Sequence, residues 1–254
     1  MCRRIDAAMR RLRGIDVLAV AILLIAPAFA GPPFATDDPE PTPHGHFESY
    51  LFTAGQRAGG ATTGTAMGME IDYGAFADTQ ITTVLPFDYE PAAGGGTRFG
   101  LGVAQLGVKY RFIEEDEDGW RPQVAFFPSI DIPLRASSGK NASQFFPVWA
   151  QKSFGNWTTF GGGGYWNNPG PGNRDYWFTG WALLRQITPD FTAGVELFHQ
   201  TPDTMGGKES TSLGIGMLYD LSDTFHLVGS FNSGIQNRET TNAYSYYLAL
   251  KLTK

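Results

Sequence analysis

Two stretches of the chain combine side chains that could do chemistry, and the first lies near the start. His44-Gly45-His46-Phe47-Glu48 places two imidazoles and a carboxylate on one side of an extended segment, and that spacing can ligate a metal ion. No further histidine is expected nearby. The preferred interpretation is therefore that His46 and Glu48 lead into the first strand and are solvated or paired there. We expect no metal site and no cofactor.

The second stretch could support hydrolysis. His226 and Ser230 share one face of a patterned strand, with Asn232 beyond them. A serine nucleophile needs a histidine within hydrogen-bond reach, whereas four residues along a strand span roughly 13 Å. His199 is expected to face outward without a serine partner. A lipid hydrolase or deacylase is therefore the least favoured function, and no residue is predicted to be catalytic.

The elements that position these residues are short patterned strands between about Phe47 and Leu252. Two kinds of connection alternate between them. Longer Gly/Pro/polar loops lie around Gln56–Ala61, Pro91–Thr97, Ala136–Ser143, Pro169–Arg174, Pro202–Lys208 and Gly234–Glu239, and shorter turns at Gly74–Ala77, Glu114–Gly119, Gly155–Asn156, Thr188–Asp190 and Ser222–Asp223. Short periplasmic turns and longer outer loops are typical of single-chain outer-membrane barrels. The order predicts an all-β fold, a transmembrane antiparallel up-and-down β-barrel of about twelve strands.

The composition favours the same fold. Only 17% of the residues are charged, while 14% are aromatic, and a soluble domain usually has about 25% charged residues. A barrel explains the deficit because half of every strand faces outer-membrane lipid. A soluble β-sandwich or lipocalin-like barrel is the alternative, but it would need neither the ordered connections nor aromatic residues near strand ends. The net charge of −6 argues against a nucleic-acid partner.

Three regions follow along the chain. Residues 1–30 are predicted to be a signal peptide, with a basic start, an apolar core at Val17–Ala28 and a small-x-small cleavage site at Ala28-Phe29-Ala30. Cleavage would remove Cys2 and leave no thiol. Residues 31–45 form a Pro- and acid-rich periplasmic segment, and residues 46–254 form the barrel. We expect the segment to be a tail or to pack at the barrel base; the alternative is a plug, in which Asp37 and Asp38 pair with lumen cations.

Strand direction and alternation place the inward residues at defined levels, because successive side chains point to opposite faces. Charges of both signs gather near the periplasmic end, where we expect an ion-pair network that constricts the lumen, since a buried unpaired charge is costly. Its members are Glu48, Glu70, Asp72, Lys109, Arg111, Arg121, Glu196, Asp220 and Lys251. The upper lumen is expected to be apolar, lined by Phe52, Phe99, Leu101 and Phe127, with Val84 and Val103.

One segment carries a family resemblance. Pro33-Phe34-Ala35-Thr36-Asp37-Asp38-Pro39, followed by Gly45-His46-Phe47-Glu48, resembles the opening of the outer-membrane β-barrel family known as the MetA-pathway of phenol degradation transporters. Asp37, Asp38, His46 and Glu48 belong to this N-terminal motif. The resemblance implies an outer-membrane location and uptake of aromatic or other hydrophobic compounds.

The sequence therefore predicts a non-enzymatic outer-membrane channel or transporter for small, hydrophobic or aromatic compounds. The alternative is a structural barrel whose lumen is filled and which transports nothing. Tyr244, Tyr246 and Leu248 alternate along the last strand, and we expect this strand to be recognised by the barrel assembly machinery.

Overall fold

The computed structural model describes residues 33–92, 94–135 and 141–254. The predicted signal peptide, residues 1–30, and the predicted start at Gly31 lie outside these residues. In the described ranges, no helix has the length and the apolar character needed to cross a membrane.

The described residues form fourteen strand segments and one short helix. The strands are β1 (Phe47–Ala58), β2 (Ala61–Phe76), β3 (Thr79–Pro91), β4 (Thr97–Leu101), β5 (Val103–Ile113), β6 (Gln123–Phe126), β7 (Ser129–Pro133), β8 (Ser143–Phe154), β9 (Trp157–Asn167), β10 (Tyr176–Thr188), β11 (Phe191–Gln200), β12 (Ser210–Asp220), β13 (Phe225–Gln236) and β14 (Tyr244–Thr253). The helix α1 (Arg238–Thr241) lies between β13 and β14.

These segments close into a barrel. β1 pairs antiparallel with β2 on one side and with β14 on the other, so the first and last strands join. β4 and β5 both pair with β3 and are two parts of one strand interrupted at Gly102, and β6 and β7 are likewise two parts of the next. Twelve strands therefore span the wall, and the predicted antiparallel up-and-down β-barrel is confirmed.

The outer face of the wall is apolar. In β12, Leu213 and Ile215 point outward and are 50% and 64% exposed, whereas Ser212, which precedes Leu213 and points inward, is fully buried. Aromatic pairs lie outward near both rims: Phe47 stacks on Tyr73 at the short-turn rim, with ring centroids 4.5 Å apart. Tyr165 and Trp177 pack edge to face at the other rim, with ring centroids 5.4 Å apart. An apolar band between two aromatic belts is the surface of a barrel that spans a lipid bilayer.

The first outer connection differs from the prediction. A loop was expected around Gln56–Ala61, but β1 and β2 continue toward each other and are joined by the two-residue turn Gly59-Gly60. Both glycines have positive φ, 56° and 81°, as the tight hairpin turns that match strand twist require. The other connections at this end are longer, so β1 still begins and β14 still ends at the short-turn end.

The placement of Phe99 and Leu101 in the lumen is wrong. Both point to the outside of the barrel, 56% and 53% exposed, and Phe99 stacks near Phe87 on the outer wall at 6.4 Å. The register of the wall shifts by one residue at Gly102, between β4 and β5. A one-residue shift moves every side chain of a segment to the opposite face, so alternation counted through Gly102 inverted the faces of β4.

A lipid-face substitution tests this orientation. Ile215→Lys should lower the free energy of unfolding by about 2–4 kcal/mol, because a lysine near the bilayer midplane is poorly solvated. Leu221→Lys, also outward but just beyond the end of β12, should cost about 1 kcal/mol or less. Urea titrations of both variants refolded into lipid vesicles measure the difference. Equal effects at the two positions would contradict the assigned membrane span.

Candidate functional site: a plugged lumen

The N-terminal segment Pro33–His46, here called the plug, lies inside the barrel. Phe34, Thr36 and Asp37 are at most 3% exposed. A Cβ placed on Gly216 of β12 would meet the Phe34 ring, and one on Gly180 of β10 would lie 3.0 Å from Thr36 Cβ. Both glycines are inward positions. The segment expected to be a tail or base packing therefore occupies the lumen, as in the alternative interpretation.

A carboxylate of the barrel wall holds the upper end of the plug. Glu196 of β11 is 1% exposed, and its two oxygens accept from the backbone N–H of Ala35 at 3.2 Å and of Thr36 at 2.5 Å. Both bonds are charge-assisted when Glu196 is ionised, and such bonds are about twice as strong as neutral ones. Glu196 therefore binds the plug and takes no part in the predicted ion-pair network.

A buried ion pair holds the middle of the plug. Lys109 Nζ of β5 lies 3.1 Å from Asp37 Oδ1 and 3.7 Å from Asp38 Oδ1. It also contacts the ring of Phe127, 5.1 Å from its centroid. Burial raises the pKa of Asp37 to about 6, although the neighbouring Lys109 acts in the opposite direction. The pairing of Asp37 and Asp38 with a lumen cation, which belonged to the alternative plug interpretation, is thus present in the structure, with Lys109 as the cation.

The base of the plug fixes where the chain leaves the lumen. Thr42 N–H donates to Gln80 Oε1 at 2.7 Å, and Gly45 N–H donates to the Gly74 carbonyl at 2.8 Å. Gly74 is crossed so closely by the Pro43 carbonyl that a Cβ there would collide with it. The plug therefore enters from the short-turn end and crosses the lumen from β2 and β3 toward β10–β12, reaching mid-barrel at Pro33, the first described residue.

Part of the predicted constriction is assembled in the lower lumen. Glu48 and Lys251 pair across β1 and β14, with Oε2 and Nζ 2.7 Å apart. Glu70 and Asp72 are inward and buried on β2, at 7% and 4% exposure. Asp72 accepts from the Thr82 hydroxyl. Together with Lys109 and Asp37, these groups surround the lower half of the plug.

Three predicted members lie elsewhere, at the short-turn rim. Arg121 is exposed in the connection between β5 and β6 and donates to the Glu114 carbonyl at 3.1 Å. Arg111 pairs with Asp78 in the turn between β2 and β3, its Nε 3.0 Å from Oδ1. Asp220 contacts His226 Nδ1 at 2.6 Å. The strand containing Arg121 was expected to begin at Trp120, but β6 begins at Gln123, so Arg121 lies outside the lumen.

The four histidines lie at the short-turn rim or on the outer wall. His44 and His46 are exposed where the plug leaves the barrel. In the part of the chain that the structure describes, no cluster of His, Cys, Asp or Glu side chains could hold a metal. His226 Nε2 contacts Thr253 Oγ1 at 3.1 Å rather than Ser230. His199 Nδ1 contacts Thr211 Oγ1 at 2.9 Å on the outer wall.

An inward aromatic cluster was missed from the sequence. Phe127, Phe145, Trp149, Trp166 and Phe178 are all at most 8% exposed, and the Phe145 and Trp166 rings stack at 4.5 Å. β8 and β9 contribute most of it, and their alternation is obscured by the glycine run in β9. A Cβ on one of these glycines would lie 3.0 Å from the Trp149 ring. The run Gly161–Gly164 was the available signal in the sequence, since glycine inside a strand often marks a site where another group approaches the backbone closely.

A second cluster surrounds Phe52. Its ring stacks on Tyr247 at 5.4 Å, in a buried group with Tyr50 and Val84. Phe52 and Phe127 are thus both in the lumen, on opposite sides of the plug, whereas Phe99 and Leu101 are outside it. The apolar part of the lumen is therefore formed by packed side chains at mid-height and does not line an open upper half.

A cavity of about 330 Å³ lies above the plug, toward the long-loop end. Pro33, Phe34 and Ala35 form its floor, and the outer ends of β1 and β10–β14 form its walls. The walls are mixed: aromatic rings such as Phe178 and Phe198 stand near the floor, and amide and hydroxyl side chains are above them. Burial raises the pKa of Asp203, which lies in the loop between β11 and β12 at the cavity wall.

Comparison with known proteins identifies the fold. The crystal structure of the COG4313 outer membrane channel from Pseudomonas putida F1 has a TM-score of 0.66 at 11% identity, covering 85% of this chain and 98% of that one. The NanC porin has a TM-score of 0.57 at 10% identity, and the KdgM porin, solved in complex with disordered oligogalacturonate, 0.53 at 7%. Each match covers 80% of this chain and 98% of that chain. No protein-family model and no curated protein sequence matches.

These structures share an outer-membrane β-barrel fold with this chain, and the apolar band of the outer wall agrees with it. The predicted outer-membrane location is confirmed. The resemblance to the phenol-degradation transporters stays a prediction.

Removing the cation that pairs with the plug should loosen it. Lys109→Met leaves the Asp37 carboxylate buried without its nearest cation, and breaking a buried pair costs about 3–5 kcal/mol, reduced if Asp37 takes up a proton. We expect hydrogen exchange in residues 33–42 to accelerate by at least about tenfold, since 1.4 kcal/mol corresponds to a factor of ten. The exposed Lys208→Met is the matched control. Unchanged exchange in Lys109→Met would show that the ion pair does not hold the plug.

The plug should also respond to pH through Asp37. Its pKa in the folded chain, about 6, lies above the ordinary value of 3.8, so docking takes up a proton. This contribution is fully present below about pH 4 and is lost as the pH rises through about 6. Hydrogen exchange of the plug, corrected for intrinsic rates, should therefore increase over that range. Asp37→Asn should flatten the profile in part, because Glu70, Asp72, Asp38 and Lys109 share the space. Identical profiles would refute this role.

Proposed function

We propose that this protein is an outer-membrane channel that the plug holds closed. The observation that supports the proposal is the cavity above the plug: Pro33, Phe34 and Ala35 form its floor. A solute entering between the long loops reaches this cavity and meets the plug rather than the far side of the membrane. Displacing the plug is the step that would open a path toward the short-turn end.

The contacts of the plug suit a displaceable segment. It contributes no strand to the barrel wall, so its removal breaks no pairing between wall strands. Its anchors are few and local: the carboxylate of Glu196, the ammonium of Lys109 and the amide of Gln80. Interactions of this kind are individually worth a few kcal/mol or less, which allows a docked and a withdrawn state to interconvert.

The solutes proposed are small and uncharged, with at least one apolar or aromatic face. Phe34, Phe178 and Phe198 line the lower part of the cavity, and Phe178 also belongs to the inward aromatic cluster. Aromatic compounds, the class implied by the family resemblance, fall within this group. The other proposed partners are outer-membrane lipid around the apolar band and the barrel assembly machinery, through β14.

A structural barrel without transport is the second candidate, and one observation favours it. The lumen beneath the cavity is filled by the plug and by buried side chains, among them Tyr50, Phe52 and Glu70. If the plug never leaves, the lumen stays closed and the barrel has no path for a solute. The two candidates differ in what happens when the plug is locked or removed.

A reversible covalent lock separates them. Thr36→Cys and Gly180→Cys, combined with Cys2→Ser, place two thiols on the plug and on β10. The Cβ distance of 3.0 Å lies just under the range of about 3.5–4.5 Å seen in disulfides, so a small shift of the plug suffices. In planar lipid bilayers, the oxidised protein should stay closed, and a reducing agent should restore the openings of the wild type. Deletion of residues 33–42 should give a larger and more persistent conductance.

The single-cysteine variants Thr36→Cys and Gly180→Cys are the controls, and neither should respond to the reducing agent. Conductance that is equal in the oxidised and reduced forms would mean that the plug does not gate the barrel. Absence of conductance in the deletion variant, with the β-sheet signal of the barrel intact, would support the structural barrel instead.

A further inference from the structure

The lumen wall beside the plug carries more carboxylates than ammonium groups. Glu70 and Asp72 point inward from β2, and they are 7% and 4% exposed. Glu196 points inward from β11 and is bonded to the plug. The cation that faces them in the described part of the wall is Lys109 of β5, whose charge acts on both Glu70 and Asp72. Three wall carboxylates therefore share one wall ammonium.

The plug adds to this excess of negative charge. Asp37 and Asp38 bring two more carboxylates to Lys109, and Asp37 also interacts electrostatically with Glu70 and Asp72. Asp37 is fully buried, and no hydrogen-bond donor reaches its Oδ2 among the described residues. A buried carboxylate oxygen without a donor, placed among like charges, is costly. This level of the lumen therefore favours positive charge.

The charges at the two ends of the lumen do not offset the excess. Inward cations there contact carboxylates at 2.9 Å or less, or share one of them. From the short-turn end upward these groups are Glu115 with Lys152, Glu48 with Lys251, and Glu90 with Arg98 and Arg135. Asp88 and Asp131 are two further carboxylates toward the long-loop end. In the described ranges, no level of the inner wall therefore has an excess of positive charge.

We propose that the open channel passes cations in preference to anions, and that Glu70, Asp72 and Glu196 select them. Withdrawal of the plug takes the backbone N–H groups away from Glu196 and the acids away from Lys109, so these wall groups face the open path. Rings of Asp and Glu side chains select cations in channels, because a lumen lined by one sign of charge concentrates the opposite ion. The inference rests on the proposed channel, and to its uncharged solutes it adds the class of ion that passes.

Reversal potentials of the wild-type protein in planar lipid bilayers test the proposal. At about pH 8, carboxylates that face an open, hydrated path are ionised. A gradient of KCl across the bilayer then separates the contributions of the two ions. We expect the openings to reverse near the potassium equilibrium potential, with potassium about tenfold more permeant than chloride. Reversal at zero, or toward the chloride equilibrium potential, overturns the proposal.

Two double variants that lose the same charge locate the selectivity. Glu70→Gln with Asp72→Asn leaves Glu196 opposite Lys109, so the permeability ratio should fall from about tenfold to about one. Glu117→Gln with Asp118→Asn removes two carboxylates from the exposed connection between β5 and β6, and it should retain the wild-type ratio. Equal ratios in the two double variants would overturn the assignment of Glu70 and Asp72.

Lys109→Met gives a second measurement with the opposite expectation. It removes the wall ammonium and should raise the preference for potassium above that of the wild type. If Lys109 only held the plug in place, the variant would change how often the channel opens but not the permeability ratio. This measurement keeps the test valid if the Glu70 and Asp72 double variant does not fold. A ratio equal to or below the wild-type ratio would contradict the proposal.

Failure of the selectivity and failure of the channel give different results. A wild type that conducts without preferring potassium remains a channel and loses only the selecting role of Glu70, Asp72 and Glu196. Absence of openings, both in the wild type and after reduction of the disulfide lock, removes the channel and the selectivity with it.

Discussion

The structure depends on one constraint: in the hydrocarbon of a bilayer, backbone N–H and C=O groups have no water to bond to. A sheet meets this constraint only if it has no free edge, and here the pairing of β1 with β14 removes the edge over ten residue pairs. Closure then decides which side chains face lipid and which face the lumen. Alternate side chains must be apolar where they face lipid, and only the inward half is free to carry charge, hydrogen bonds and a bound segment.

The same constraint applies to the plug, which is irregular backbone buried at membrane depth. Its composition reduces the problem, because proline has no N–H to satisfy, and Pro33, Pro39, Pro41 and Pro43 occur in one stretch of eleven residues. Most of the remaining donors have partners: Ala35 and Thr36 donate to Glu196, Asp38 to Asp37, Glu40 to Asp38, and Thr42 to Gln80. A proline-rich composition disfavours a strand, and here it is what allows an irregular segment to lie inside the lumen.

Strand pattern and connections were enough to predict the barrel, because alternation over a dozen strands tolerates local errors. Predictions for single residues were less secure. One unpaired residue at Gly102 reversed Phe99 and Leu101, and a strand that starts at Gln123 instead of Trp120 left Arg121 on the rim. The lumen position of the plug was not predictable from periodicity, since its bonds to Glu196 span about 160 residues. Such contacts leave no local pattern, although the alternative interpretation did pair the acids beside the prolines with lumen cations.

The plug and the cavity cannot act independently, because they share residues. Ala35 belongs to the cavity floor and also donates to Glu196, and Phe34 belongs to the floor and fills the space over Gly216. Withdrawal of the plug therefore removes the floor and the apolar surface of Phe34. A solute that needs this surface binds the closed state better and by linkage stabilises it. A solute held only by the upper wall binds both states equally and shifts neither. Opening would then require a second influence on the plug, and the groups that hold it, Glu196 and Lys109, lie on the wall, where changes in charge reach the plug directly.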